Sequence, residues 1–139
     1  MVRKLHEWAL AEAVVQTALD VLKKENGKQI IEITLVIGKL QTIDMDAFSF
    51  ALTELSKDTP MHNAKINFEY ESPAFKCLYC GHEWTIDDLE ELLDETQIEA
   101  IHFIPELSHT FIKCPKCGSV DFEITKGRGV WIKSLKIEG

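Results

Sequence analysis

No apolar run in this 139-residue chain approaches the ~18 residues that a membrane-spanning helix requires. The opening MVRKLHEWAL reaches His6 and Glu7 before a signal-type apolar stretch develops, so a cytoplasmic location is expected. Cysteine is scarce: all four fall in two CxxC pairs, Cys77/Cys80 and Cys114/Cys117, which leaves no thiol to act as a nucleophile. GxSxG elbows and phosphate-binding loops are both missing. The carboxylates Asp44/Asp46 and the run Asp87 to Glu91 read as helix-start and solvated charges rather than a paired-carboxylate site. The expectation is a protein that is not an enzyme. Positive charge is also short. A formal net charge of −8 repels polyphosphate at long range. The basic clusters, Lys23/Lys24 and the tail around Lys126, Arg128, Lys133 and Lys136, are not interleaved with exposed aromatics in an obvious way, and no nucleic-acid partner is expected.

Apolar content of 45% and charged content of 27% suit a globular chain. In EWALAEAVVQTALDVLKKE, Trp8, Ala11, Val15, Ala18, Leu19 and Leu22 recur at helical spacing, and Asn26-Gly27 supplies a stop. QIIEITLVIGKL then alternates as a β-branched strand, with Ile31, Ile33, Leu35 and Ile37 on one face. DMDAFSFALTEL marks a second helix through Phe48, Ala51, Leu52 and Leu55, ended by Thr59-Pro60. AKINFEYES reads as a second strand stopped at Pro73. Leu89, Leu92 and Leu93 predict a short acidic helix before Pro105, and VDFEIT and VWIKSLKIE predict two closing strands. The fold class is therefore α+β: a small helix-on-sheet domain with an inserted, zinc-ribbon-like module. The expected division is residues 1–73 with a returning strand 128–139, and a module over 74–127.

Two residues between cysteines let both sulfurs reach one ion, and Gly81 and Gly118 after each pair permit the bend that turns backbone amides toward sulfur. Two such knuckles complete a tetrahedral four-sulfur site with no seat for water. Its expected task is folding, through a structural zinc ion. Other readings of the pairs are a redox dithiol and, because tetrahedral S₄ also suits iron, a rubredoxin-like electron carrier. A zinc-ribbon adaptor for nucleic acid or transcription machinery is a further alternative, opposed by the acidic charge. Of the histidines, His82 and His109 flank the cysteine pairs as surface groups or thiolate partners, and His62 lies in a loop. On its own, His6-Glu7 places a carboxylate at a helix start. His102, between Ile101 and Phe103, reads as a tethered loop histidine.

Taken together, HEWALAEAV, the two CxxCG knuckles and the closing KGRGVWIKSLKIE resemble the hydrogenase-maturation nickel metallochaperone family, HypA. The resemblance spans nearly the whole chain, and the long acidic segment ending in IHFIPE is similar to its archaeal branch. It implies a nickel-binding α/β domain and a zinc domain, with Ni(II) delivered to the large subunit of NiFe hydrogenase alongside a partner GTPase, HypB. By matching motif it implies His6 as the nickel histidine with Glu7 beside it, Cys77, Cys80, Cys114 and Cys117 as zinc ligands, and His102 joining the nickel site. A histidine near a free amino terminus offers imidazole, amine and amide nitrogens to square-planar Ni(II). The family begins Met-His-Glu, whereas this chain reads MVRKLHE. Leu5 stands where the family has its initiator, and a TTG leucine codon can start translation, so the expected start is position 5. If residues 1–4 belong to the chain, nickel must use His6 with His102 or other side chains. A homodimer formed by strand or domain exchange is also expected.

Overall fold

The structure, a computed structural model, describes residues 2–41, 43–87 and 89–139. Met1, whose amine figures in the nickel expectation, and Asp88 of the acidic run lie outside the described residues. The chain divides into two units. One comprises Met1–Val36, Ile43–Glu69 and Val130–Gly139, the other Ile37–Thr42 and Tyr70–Gly129.

In the first unit, helix α1 (Val2–Lys24) buries Ala11, Val14, Val15, Ala18 and Leu22, one stripe at spacings of three and four. Asn26 adopts φ 56°, and the Gly27 and Asn26 amides donate to the Leu22 and Lys23 carbonyls at 3.0 and 3.2 Å. This pair of bonds is a Schellman stop. The helix begins earlier than the periodicity predicts, so Glu7 lies beyond a first turn that carries no acidic residue. The helix-start role expected of that carboxylate is therefore not the one it has.

Strand β1 (Gln29–Gly38) is the centre of a three-stranded sheet, between β2 (Lys65–Glu71) and β6 (Val130–Glu138). Ile30 and Val36 are buried as well as Ile33, Leu35 and Ile37, whereas Ile31, expected on the same face as the latter three, is 36% exposed. Helix α2 (Met45–Ser56) starts at Asp44, whose side chain accepts the Ala47 amide at 3.1 Å. Phe48, Ala51 and Leu52 from α2 are fully buried, and the Phe48 ring lies 6.2 Å from that of Phe68 on β2.

The second unit is built on an antiparallel sheet of β3 (Ala74–Cys77), β4 (Glu83–Thr85) and β5 (Phe122–Lys126), in the order β4-β3-β5. Phe75 opposes Trp84 on one side and Ile124 on the other. Its ring stacks on Trp84 at 5.3 Å and meets Phe122 edge-on at 5.3 Å. Leu40, Leu93, Ile101 and Ile112 complete this core. Leu40 comes from the 3-10 turn Lys39–Gln41 that follows β1, and its burial among these residues draws that turn into the second unit.

Where one short acidic helix is predicted before Pro105, the described residues form two, α3 (Leu89–Leu92) and α4 (Glu95–Phe103), and a further short helix, α5 (Ser108–Phe111), follows the proline. A capping box starts α4, with Asp94 accepting the Gln97 amide at 2.8 Å while the Gln97 side chain accepts the Asp94 amide at 3.0 Å. His102 is thus helical and 1% exposed, in place of the loop histidine expected. Ile101 explains the difference, since it anchors the last turn of α4 in the core. Among the described residues, no helix is long and apolar enough to cross a membrane.

Candidate metal centres

The two knuckles are copies in three dimensions as they are in sequence. Gly81 donates to the Cys77 carbonyl at 3.0 Å, and Gly118 to that of Cys114 at 2.8 Å. The amides of Cys77 and Cys114 donate in turn to the carbonyls of His82 and Ser119, at 2.8 and 2.9 Å. Both glycines have φ 78° and open space where a Cβ would sit. Backbone conformation, not crowding, selects glycine there.

These turns bring the sulfurs of Cys77, Cys80, Cys114 and Cys117 within 4.8 Å of one another. Cys77 Sγ lies 3.6 Å from Cys117 Sγ, and Cys80 Sγ 3.7 Å from Cys114 Sγ. A tetrahedral ion with metal–sulfur bonds of ~2.3 Å has sulfur–sulfur edges of about 3.8 Å. The donor set therefore fits zinc in both chemistry and size, and the four thiolates would fill every coordination position. Zinc held in this way supplies cross-linking and no vacant position for a substrate. The four ligands lie at the two ends of the module, beside β3 and just ahead of β5, so one ion closes both.

Without a metal the four thiols compete for charge. The Cys80 amide, 3.4 Å from Cys77 Sγ, leads the interactions that hold the Cys77 thiol down to about 7, against the opposing effect of burial. Burial resists ionisation of Cys114, but the amides of Cys117 and Lys116 outweigh it and the net direction is down. At Cys117 the Ser119 amide favours the thiolate, yet burial and the three neighbouring sulfurs push it up to about 12. The sulfur beside Cys77 therefore keeps its proton until a cation replaces it. Zinc binding is expected to release protons, with a larger release at about pH 6 than at about pH 8 as Cys77 gains its own proton, so apparent affinity falls as pH falls. Calorimetric titration of metal-free protein in buffers of differing ionisation heat reads this number directly. A release independent of pH would contradict the arrangement.

The flanking histidines belong to the packing. His82 stacks on Trp84 with ring centroids 6.0 Å apart. His109 stacks on Phe122 at 4.2 Å, and its Nδ1–H donates to the Val120 carbonyl at 3.0 Å. His62, in the turn after α2, places Nδ1 2.9 Å from the Thr59 carbonyl.

The remaining candidate ligands sit on helices. His6 and Glu7 are consecutive on α1, the first half-buried and the second fully buried. Glu7 Oε2 accepts the Asp44 amide at 3.1 Å, so this carboxylate is oriented by backbone at the start of α2. In the second unit, His102 is clasped by Gln41. The His102 Nδ1–H donates to the Gln41 carbonyl, and the Gln41 side-chain amide donates to the His102 carbonyl at 3.0 Å. Gln41 is a buried residue that the sequence reading does not single out. It stands 61 positions from its partner in no motif.

Residues 5–137 match the family model described as Hydrogenase/urease nickel incorporation, metallochaperone, hypA. The hydrogenase maturation factor HypA of Pyrococcus abyssi is 51% identical over 134 residues, covering 96% of each chain. Its namesake in Pyrococcus horikoshii is 49% identical over the same span, and that of Methanopyrus kandleri 33% identical over 135 residues, covering 96% of this chain and 94% of its own. A solution structure of the Ni metallochaperone HypA from Helicobacter pylori superposes with a TM-score of 0.67 at 18% identity, covering 96% of this chain and 97% of the other. At that identity the likeness is one of fold. With matches over nearly its full length, the chain belongs to the HypA family.

Proposed function

We propose that this protein is a nickel metallochaperone for NiFe-hydrogenase maturation, which takes up Ni(II) through His6, Glu7 and His102 and holds a structural zinc ion on its four cysteines. The observation that carries the reading is the family match over residues 5–137, a span that contains all seven of these residues. Donor chemistry supports it. Two imidazoles and a carboxylate form a nitrogen-rich set that suits Ni(II), whereas the sulfurs are committed to a closed site. The role is binding and delivery, with no reaction catalysed.

Helix α1 runs from Val2, so the His6 and Glu7 amides are engaged by the helix itself. A chelate built from amide nitrogens would have to unwind that turn. Side-chain ligation avoids the unwinding, and protons compete with nickel for both imidazoles, so cargo is released on acidification. In this reading nickel passes to the hydrogenase large subunit with the GTPase HypB, which meets α1 beside His6, and exchange of β6 between copies gives a homodimer.

Nickel titration of zinc-loaded protein tests the assignment. His6→Ala is expected to weaken nickel about 100-fold or more, equivalent to ~2.7 kcal/mol, with zinc content unchanged. An alanine variant that binds nickel with the parent's affinity and absorption spectrum overturns the site.

A further inference from the structure

We propose that Gln41 is the positioning residue of His102, fixing which ring nitrogen is presented to nickel; the inference rests on the nickel reading above. A carbonyl oxygen has no proton to give, so the bond between His102 Nδ1 and the Gln41 carbonyl requires the proton on Nδ1. In the neutral ring the metal-binding lone pair is then on Nε2. Hydrogen-bonded partners of this kind set the tautomer and ring orientation of metal-binding histidines.

The second half of the clasp makes the first hold. Rotation of the Gln41 peptide would turn its carbonyl away from the imidazole. The side-chain amide of the same residue, bonded to the His102 carbonyl at 3.0 Å, ties the two backbones together on either side of the ring. Leu40, fully buried in the core that also contains Ile101, anchors the residue before Gln41 against the residue before His102. Ring, carbonyl and amide are thus fixed by two adjacent core side chains and two reciprocal bonds. Both partners are almost wholly buried, so water is not at hand to replace either bond, and a lost bond is felt in full. Gln41 closes the 3-10 turn Lys39–Gln41, and its carbonyl and side chain both meet His102.

The test uses full-length, zinc-loaded protein titrated with nickel. Gln41→Met keeps the side chain's length and removes its donor. It is expected to weaken nickel about 10- to 100-fold in the parent, the range found for partners of metal-binding residues, and to have no further effect in a His102→Ala background. An equal loss in both backgrounds marks a general structural defect and overturns the proposal. If His102→Ala weakens nickel while Gln41→Met does not, the proposal fails and the nickel reading stands. If His102→Ala changes nothing, it is the assignment of His102 as a ligand that fails, and the proposal falls with it. A measurement on the unsubstituted protein guards against a variant that does not fold. Nitrogen-15 shifts of the His102 ring in nickel-free protein are expected to show protonated Nδ1 and unprotonated Nε2. The opposite tautomer overturns the proposal without any substitution.

Discussion

Cys114→Ser is expected to abolish zinc retention and unfold the second unit while leaving the first one folded. Structural zinc contributes an apparent ~10–16 kcal/mol in small modules, as much as the ~5–15 kcal/mol that separates folded from unfolded states in an ordinary domain. Among the described residues, what remains without the ion is a core of Leu40, Phe75, Leu93, Ile101, Ile112 and Phe122, with partly buried side chains such as Trp84, Ile98 and Ile124 packed against it. A core of this size in a unit of under ~70 residues rarely supplies more than ~3–5 kcal/mol. Two of its members depend directly on the knuckles. Phe75 lies two residues before Cys77 on β3, and Phe122 opposes Cys77 in the β3–β5 register. Opening the four-sulfur site therefore releases both ends of the sheet at once. The first unit has an independent core, in which Ala11, Ala18, Ile33, Leu35, Phe48 and Leu52 are fully buried.

Amide NMR distinguishes the two halves. Dispersed signals should persist for α1, α2 and β1, and collapse for residues of β3 to β5. The same preparation gives a metal analysis: zinc leaves the parent colourless, whereas an iron-filled S₄ centre would be red. A Cys114→Ser protein with no metal and native dispersion throughout would show that the apolar core alone suffices.

The four-cysteine centre is legible in the sequence because everything that makes it is local. Two residues between sulfurs and a glycine after each pair fix both knuckles, and only their convergence requires the fold. The helices α1 and α2 and the strands β1, β2 and β6 are legible for a related reason: each is long enough for its periodicity to be read. Strands β3 and β4 are four and three residues long, too short to alternate, and they exist through pairing with one another and with β5. Helix α4 is hidden differently. Asp94 and Gln97 spell its capping box three residues apart, but the surrounding acidic run and Pro105 favour reading a single short helix followed by loop. The misplaced start of α1 reflects the lack of any capping residue between Val2 and Leu5. Gln41 is the least legible of all, because its role depends on a partner 61 residues away and on the burial of Leu40 beside it.

Gly38→Ala is expected to destabilise the protein by about 1.5–4.5 kcal/mol. A Cβ at this position would lie well inside van der Waals contact with the Gly127 carbonyl and 2.8 Å from the Arg128 amide nitrogen. These are backbone atoms, so no side-chain rotation relieves the clash. Nor is the opposing turn free to retreat. The Gly38 amide donates to the Gly129 carbonyl at 2.7 Å, Leu40 to the Gly127 carbonyl at 3.0 Å, and Gly127 to Glu71 Oε1 at 2.8 Å. Separating the segments costs up to three bonds of ~0.5–1.5 kcal/mol each, and overpacking without separation costs ~1–3 kcal/mol. The corresponding fall in melting temperature is roughly 5–18 °C for a chain of this length. Gly139→Ala, where nothing lies within 4 Å of the new methyl group, serves as the control and should melt with the parent. Because the bonds at risk include that of Leu40, which precedes the Gln41 clasp, nickel affinity should weaken in the surviving folded fraction while zinc content is retained. A Gly38→Ala protein that melts within about 2 °C of the parent, less than 1 kcal/mol on the same scale, would mean that the two segments are not held against each other.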